Sequence, residues 1–147
     1  MVRKSLIVST LALLLPLASA WASEPVQVER HELMETAKDA AKPVGQMLKG
    51  EKEFDAAEAM DSFRTWAKVA ATAGDLFPEG SETGYETRSL PTVWTERERF
   101  DEIMKEFAAA SDAAIAAEPQ SLEELKAAAG PIFKTCKSCH EDYRAEE

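Results

Sequence analysis

Two thiols and an imidazole fall within five residues near the end of the chain, in Cys136-Lys137-Ser138-Cys139-His140. Thiols three residues apart reach the two vinyl groups of a porphyrin while the next residue offers its imidazole to the iron, so C-x-x-C-H is the attachment pattern of a c-type haem. On a helix, positions 136, 139 and 140 are i, i+3 and i+4 and share one face. Other uses of these residues need more than the chain supplies. A redox dithiol normally sits beside a βαβ pattern, and a zinc site needs two further ligands. The chain has only these two cysteines, and its one other histidine is His31. A disulfide at this spacing would restrict the unfolded chain very little. The expected cofactor is one haem c per chain, held covalently by Cys136 and Cys139, with His140 as proximal iron ligand.

Helices must position that motif. Alanine, Glu, Lys and Leu dominate, β-branched residues are sparse, and no alternating strand pattern appears. The spacing predicts a first helix from just after Pro25 to about Lys49, stopped by Gly50 and bent at Pro43 and Gly45. Asp55 with Glu58 reads as the N-terminal cap of a second helix, which ends near Gly74. Leu76-Phe77-Pro78-Glu79-Gly80 and a polar stretch from Ser81 to Ser89 follow, the longest loop, expected to wrap the surface. Thr95 with Glu98 reads as a capping box for the third helix, which stops before Pro119. Ser121 with Glu124 opens the fourth, interrupted by a bend at Gly130-Pro131. Its stripe Leu122, Leu125, Ala129, Ile132, Phe133, Cys136, His140 and Tyr143 puts the haem motif on the inward side. The predicted fold is all-α, an antiparallel up-down-up-down four-helix bundle enclosing the haem.

Residues 1–22 read as a cleaved export signal, with Arg3 and Lys4, an apolar run over 6–17 and Ala18-Ser19-Ala20 or Ala20-Trp21-Ala22 as cleavage sites. That run is too short to span a membrane. Residues 23–147 form one domain, expected in the periplasm. Cleavage removes two basic residues and no acidic one, taking the formal charge from −10 to −12. That balance excludes nucleic acid and anionic membranes as partners and keeps the protein soluble. A sharper consequence is salt-dependent attraction to basic patches, but net charge does not locate the charge.

The C-K-S-C-H motif followed by Glu141-Asp142-Tyr143-Arg144 resembles the class II c-type cytochromes, the cytochrome c′ family. Arg30-His31-Glu32-Leu33-Met34 and Leu76-Phe77-Pro78-Glu79-Gly80-Ser81-Glu82-Thr83-Gly84 carry the same resemblance, which spans residues 23–147. The family has two branches. Cytochrome c′ proper leaves the sixth iron position open to nitric oxide or carbon monoxide, and cytochrome c-556 fills it with a methionine from the first helix. Met34 matches the distal position, as ligand or as an unligated lid. Lys49-Gly50-Glu51-Lys52 with Phe54-Asp55, and Trp94-Thr95-Glu96-Arg97 with Phe100-Asp101, resemble the low-spin branch, so ligation by Met34 is the expectation.

The resemblance also implies a basic residue beside the proximal imidazole. Arg144 is that candidate, against a solvated terminal arginine, and Arg30 is a second candidate haem-binding residue. His31 reads as a surface residue. Met47, Met60 and Met104 read as core, as do Phe63, Trp66, Phe133 and Tyr143. The implied function is one-electron transfer to redox proteins through electrostatic contacts, as a monomer or homodimer and not as an enzyme. Gas binding at an open iron is the alternative. Peroxidase chemistry would need a distal acid/base histidine, for which only His31 is available.

Overall fold

The computed structural model describes residues 25–146, so the export-signal reading of residues 1–22 lies outside the described part. Helix α1 spans Val26–Leu48, with Pro25 one position before it. At its end Gly50 takes φ 72°, Gly50 N donates to Met47 O at 3.0 Å and Glu51 N donates to Gln46 O at 2.9 Å. This is the paired 5→2 and 6→1 closure that a left-handed glycine permits. The helix runs through Pro43. Helix α2 spans Ala56–Ala73, and Asp55 caps it by accepting from Glu58 N at 3.0 Å. The Glu58 carboxylate pairs with Lys52 rather than closing a box. A 3-10 turn, Gly74–Leu76, begins the long loop.

Two expectations need correction. Thr95 does not cap the third bundle helix: Thr92–Thr95 forms its own turn, α3, and α4 spans Arg97–Ala117 with Glu96 before it. The carbonyls of Leu90 and Pro91 accept the N–H groups of Val93, Trp94 and Thr95, so Thr95 is already helical and lacks the extended backbone of a cap. Nor does Gly130-Pro131 break the last helix, because α5 runs unbroken over Leu122–Tyr143. Proline deprives only the Ala127 carbonyl of its partner, and Ala127, Gly130 and Pro131 are all exposed, where solvent can serve it. Ser121 Oγ accepts from Glu124 N at 3.2 Å as expected, while the Glu124 carboxylate takes Gln120 N at 2.7 Å, one residue before the cap.

Helices α1, α2, α4 and α5 form the all-α antiparallel bundle, with α1–α2, α2–α4 and α4–α5 packed closely and α1–α5 only sparsely. Two clusters fill it. Val44, Met47, Phe63, Trp66, Leu125 and Ile132 anchor the first. Phe77, Val93, Phe100, Ile103 and Tyr143 make the second, with Phe100 edge-on to Phe77 at 4.8 Å and to Tyr143 at 5.4 Å. Two leucines on α5 test this division: Leu125 is 0% exposed, whereas Leu122, expected on the inward stripe, is instead 43% exposed at the first position of the helix. Leu125→Ala should cost about 2–5 kcal/mol in urea unfolding of the haem-loaded protein. Leu122→Ala should stay within roughly 0.5 kcal/mol of the parent.

Candidate haem site

Helices α1 and α5 touch only sparsely, and the residues expected to meet a haem belong to these two helices. Met34 on α1 and Cys136 on α5 are half-buried and pack against the first cluster. Cys139, three residues on, packs against the second cluster beside Tyr143. The thiols therefore reach toward two different parts of the interior, as two attachment points on one ring require. His140 is half-buried next to them.

Trp66 of α2 touches both helices on the inner side. Its Nε1 donates to Ala37 O at 2.9 Å, and its ring meets Phe133 edge-on at 5.5 Å. Ala37 is three residues past Met34 and Phe133 three before Cys136, so one indole underlies both helices.

Cys136 and Cys139 are not joined in a disulfide. Burial raises Cys136, and burial with the nearby Cys136 and Asp142 pushes Cys139 up to about 11. His140 is held below the usual imidazole range, first by burial and then by the positive charges of Arg144 and Arg88. It is thus neutral, as an iron ligand must be. Arg144 is itself exposed, so proximity to the imidazole and solvation hold together. His31 is exposed, Met47 is buried, and Met60 and Met104 are partly buried against the clusters.

Arg30 has surroundings that the sequence reading missed. It is 5% exposed, and burial lowers its pKa against the raising effect of Glu82. Nε donates to Leu76 O at 3.1 Å, Nη1 to Thr87 Oγ1 at 3.2 Å and Ser89 Oγ at 2.9 Å, and Nη2 to Ser81 O at 3.2 Å and Ser81 Oγ at 3.0 Å. The guanidinium also lies over Phe77 at 4.3 Å and Trp94 at 5.6 Å from the ring centroids. A signal for this was present: Arg30 sits between Val26 and Leu33 on the inward stripe of α1, where a charge needs partners.

A helical bundle with a half-buried C-x-x-C-H on its last helix defines the class of a four-helix c-type cytochrome. The residues of α1 and α5 fit the group: two thiols and an imidazole on one helix and a soft thioether on the other, packed against or beside apolar clusters. Residues 26–144 match the family described as Cytochrome C'. A cytochrome c' of Rhodopseudomonas palustris is 35% identical over 142 residues, covering 95% of this chain and 97% of that protein. The cytochrome c-556 of the same organism is 30% identical over 140 residues, covering 92% and 93%. The solved structure of cytochrome c' from Rhodopseudomonas palustris superposes with TM-score 0.81 at 35% identity, over 84% of this chain and 98% of that one.

The chain belongs to the cytochrome c′ family, and its cofactor is covalently attached haem c. Replacing both Cys136 and Cys139 by Ser should leave haem extractable into acidified organic solvent. The parent should retain it, and each single Ser variant should retain it through one thioether, visible as a shifted pyridine haemochrome band.

Proposed function

We propose that the chain is an exported periplasmic electron carrier in which Cys136 and Cys139 form the thioethers, His140 is the proximal ligand and Met34 fills the sixth iron position. When bound, the haem supplies one-electron chemistry between ferrous and ferric iron. The observation that carries the reading is the placement of Met34, half-buried on α1 and packed against the same cluster as Cys136.

The protein's own residues hold and tune. Cys136 and Cys139 fix the ring to α5, His140 offers a neutral nitrogen, and the Met34 thioether, a soft donor, favours the reduced state. Trp66, Phe133 and Leu33 keep the wall apolar and limit water, which keeps rearrangement between oxidation states small. No side chain needs to act as acid, base or nucleophile. No described helix is long and apolar enough to cross a membrane, in keeping with a carrier that docks with protein partners.

The relative named cytochrome c', at 35% identity against 30% for the one named cytochrome c-556, favours a second reading. Here Met34 is an unligated lid over an iron that binds nitric oxide or carbon monoxide. Optical spectra separate the two. Ligation by Met34 should give a low-spin ferric spectrum with a methionine-to-iron charge-transfer band and little carbon monoxide uptake. Met34→Ala should then turn high-spin and bind the gas readily. A high-spin parent that binds carbon monoxide, or an unchanged Met34→Ala, would sink the assignment.

A further inference from the structure

Charge is distributed unevenly over the helices, and at one face its sign is opposite to that of the chain. Residues 125–140 of α5 carry Lys126, Lys134 and Lys137 and no Asp or Glu, in a chain whose formal charge is −10. Lys126, Phe133, Lys137 and His140 fall at i, i+7, i+11 and i+14 and follow one flank of the helix. That flank looks toward α1, because Phe133 meets the same Trp66 indole that donates to Ala37 O. On α1, Met34, Lys38 and Lys42 are at i, i+4 and i+8, and Lys49 follows at i+15, just past the end of the helix. All six lysines are exposed. Lys38 pairs with Glu35 at 2.6 Å and Lys137 with Glu141 at 3.6 Å, each within its own helix and open to solvent, so neither pair is strong. Asp39 lies on the opposite flank of α1, where it lines a groove with Glu58 and Asp61 of α2. The α1–α2 groove is therefore acidic and the α1–α5 face basic.

Like charges ranged on neighbouring helices do nothing to hold a bundle together, so folding does not account for these rows. Between them lie the partly buried Met34, Ala41, Phe133 and Cys136, an apolar strip with a charged rim, which is the anatomy of a docking surface. We propose that the α1–α5 face, bordered by Lys38, Lys42 and Lys49 on one side and Lys126, Lys134 and Lys137 on the other, docks a redox protein that presents a cluster of carboxylates. The proposal rests on the electron-carrier reading of the same site and adds the partner's charge, which is the reverse of what the net charge of the chain would select. Screening decides between the two. At physiological salt, charges farther apart than about 8 Å are largely screened, so a docked partner meets the lysine rows and little of the carboxylates on α2 and α4. One electron then passes between partner and carrier, the donor oxidised and the acceptor reduced, with no bond made or broken.

The test uses the haem-loaded full chain with a strongly acidic [2Fe–2S] ferredoxin as electron-donating probe, read by stopped-flow reduction and by carbodiimide crosslinking. Crosslinking joins lysines to carboxylates in contact with them and needs no electron transfer. The double variant Lys38→Glu/Lys137→Glu should lower the second-order reduction rate by about tenfold or more, the scale of losing electrostatic steering. Lys68→Glu/Lys105→Glu, at exposed positions of α2 and α4, makes the same change in net charge and should leave the rate within roughly twofold of the parent. In the parent, crosslinks should map to the six lysines of the two rows and not to Lys68 or Lys105. A rate unchanged by Lys38→Glu/Lys137→Glu overturns the proposal. So does an equal loss in both double variants, since net charge would then be acting. Crosslinks that are absent, or that map to Lys68 or Lys105, also overturn it. Flotation with vesicles rich in phosphatidylglycerol covers the other anionic surface: binding that the parent shows and Lys38→Glu/Lys137→Glu loses, without crosslinks to the ferredoxin, assigns the face to a membrane and overturns the proposal. A parent that binds carbon monoxide refutes the Met34-ligated carrier separately, and the rates and crosslinks still decide the docking face.

Discussion

A guanidinium taken almost wholly out of water is expensive, and Arg30 is in the first turns of α1, where the helix dipole also disfavours a cation. Its environment offsets both with two backbone carbonyls, three hydroxyls and two aromatic faces. Removing any acceptor leaves part of a buried charge unsatisfied, so the loop is held to one conformation. That fixes a segment that would otherwise fray. Tyr85 and Glu86 sit at φ 48° and 54°, left-handed positions that cost each of them roughly 1–2 kcal/mol. They are tolerable because Ser81 on one side and Thr87 and Ser89 on the other are anchored to the same side chain.

The bundle as a whole then follows from one asymmetry. Three of its four helix interfaces are closely packed, and the fourth, between α1 and α5, is sparse. Where direct helix–helix packing is sparse, other contacts must help to fix the spacing. Trp66 does this on the inner side by holding α1 through the Ala37 carbonyl and α5 through Phe133.

What was legible in the sequence was local. Asp55 and Ser121 cap helices through donors three residues away, Gly50 closes α1, and the C-x-x-C-H spacing places three side chains on one face. The errors were local signals overridden by their neighbours: Thr95 lost its cap role to the preceding turn, and Pro131 fell on an exposed face that tolerates it. The setting of Arg30 was illegible for another reason. The partners of Arg30 lie 46 to 59 residues away, and polar loop residues such as Ser81, Thr87 and Ser89 look like any solvated turn until a buried charge is brought to them. Only the inward position of Arg30 on its stripe hinted that such partners had to exist.

This difference in range bears on the division within the family. The proximal side is written in five consecutive residues and survives any change in loop or helix packing that leaves α5 helical. The distal side depends on α1 being held at the right separation from α5 by contacts made far along the chain. Relatives named cytochrome c' and cytochrome c-556 both match nearly the whole of this chain, so the fold alone does not divide them. A thioether bond to iron has a steep distance dependence, while the bundle has few direct contacts between α1 and α5 to resist a small change in spacing. The same architecture therefore accommodates relatives named cytochrome c' and relatives named cytochrome c-556.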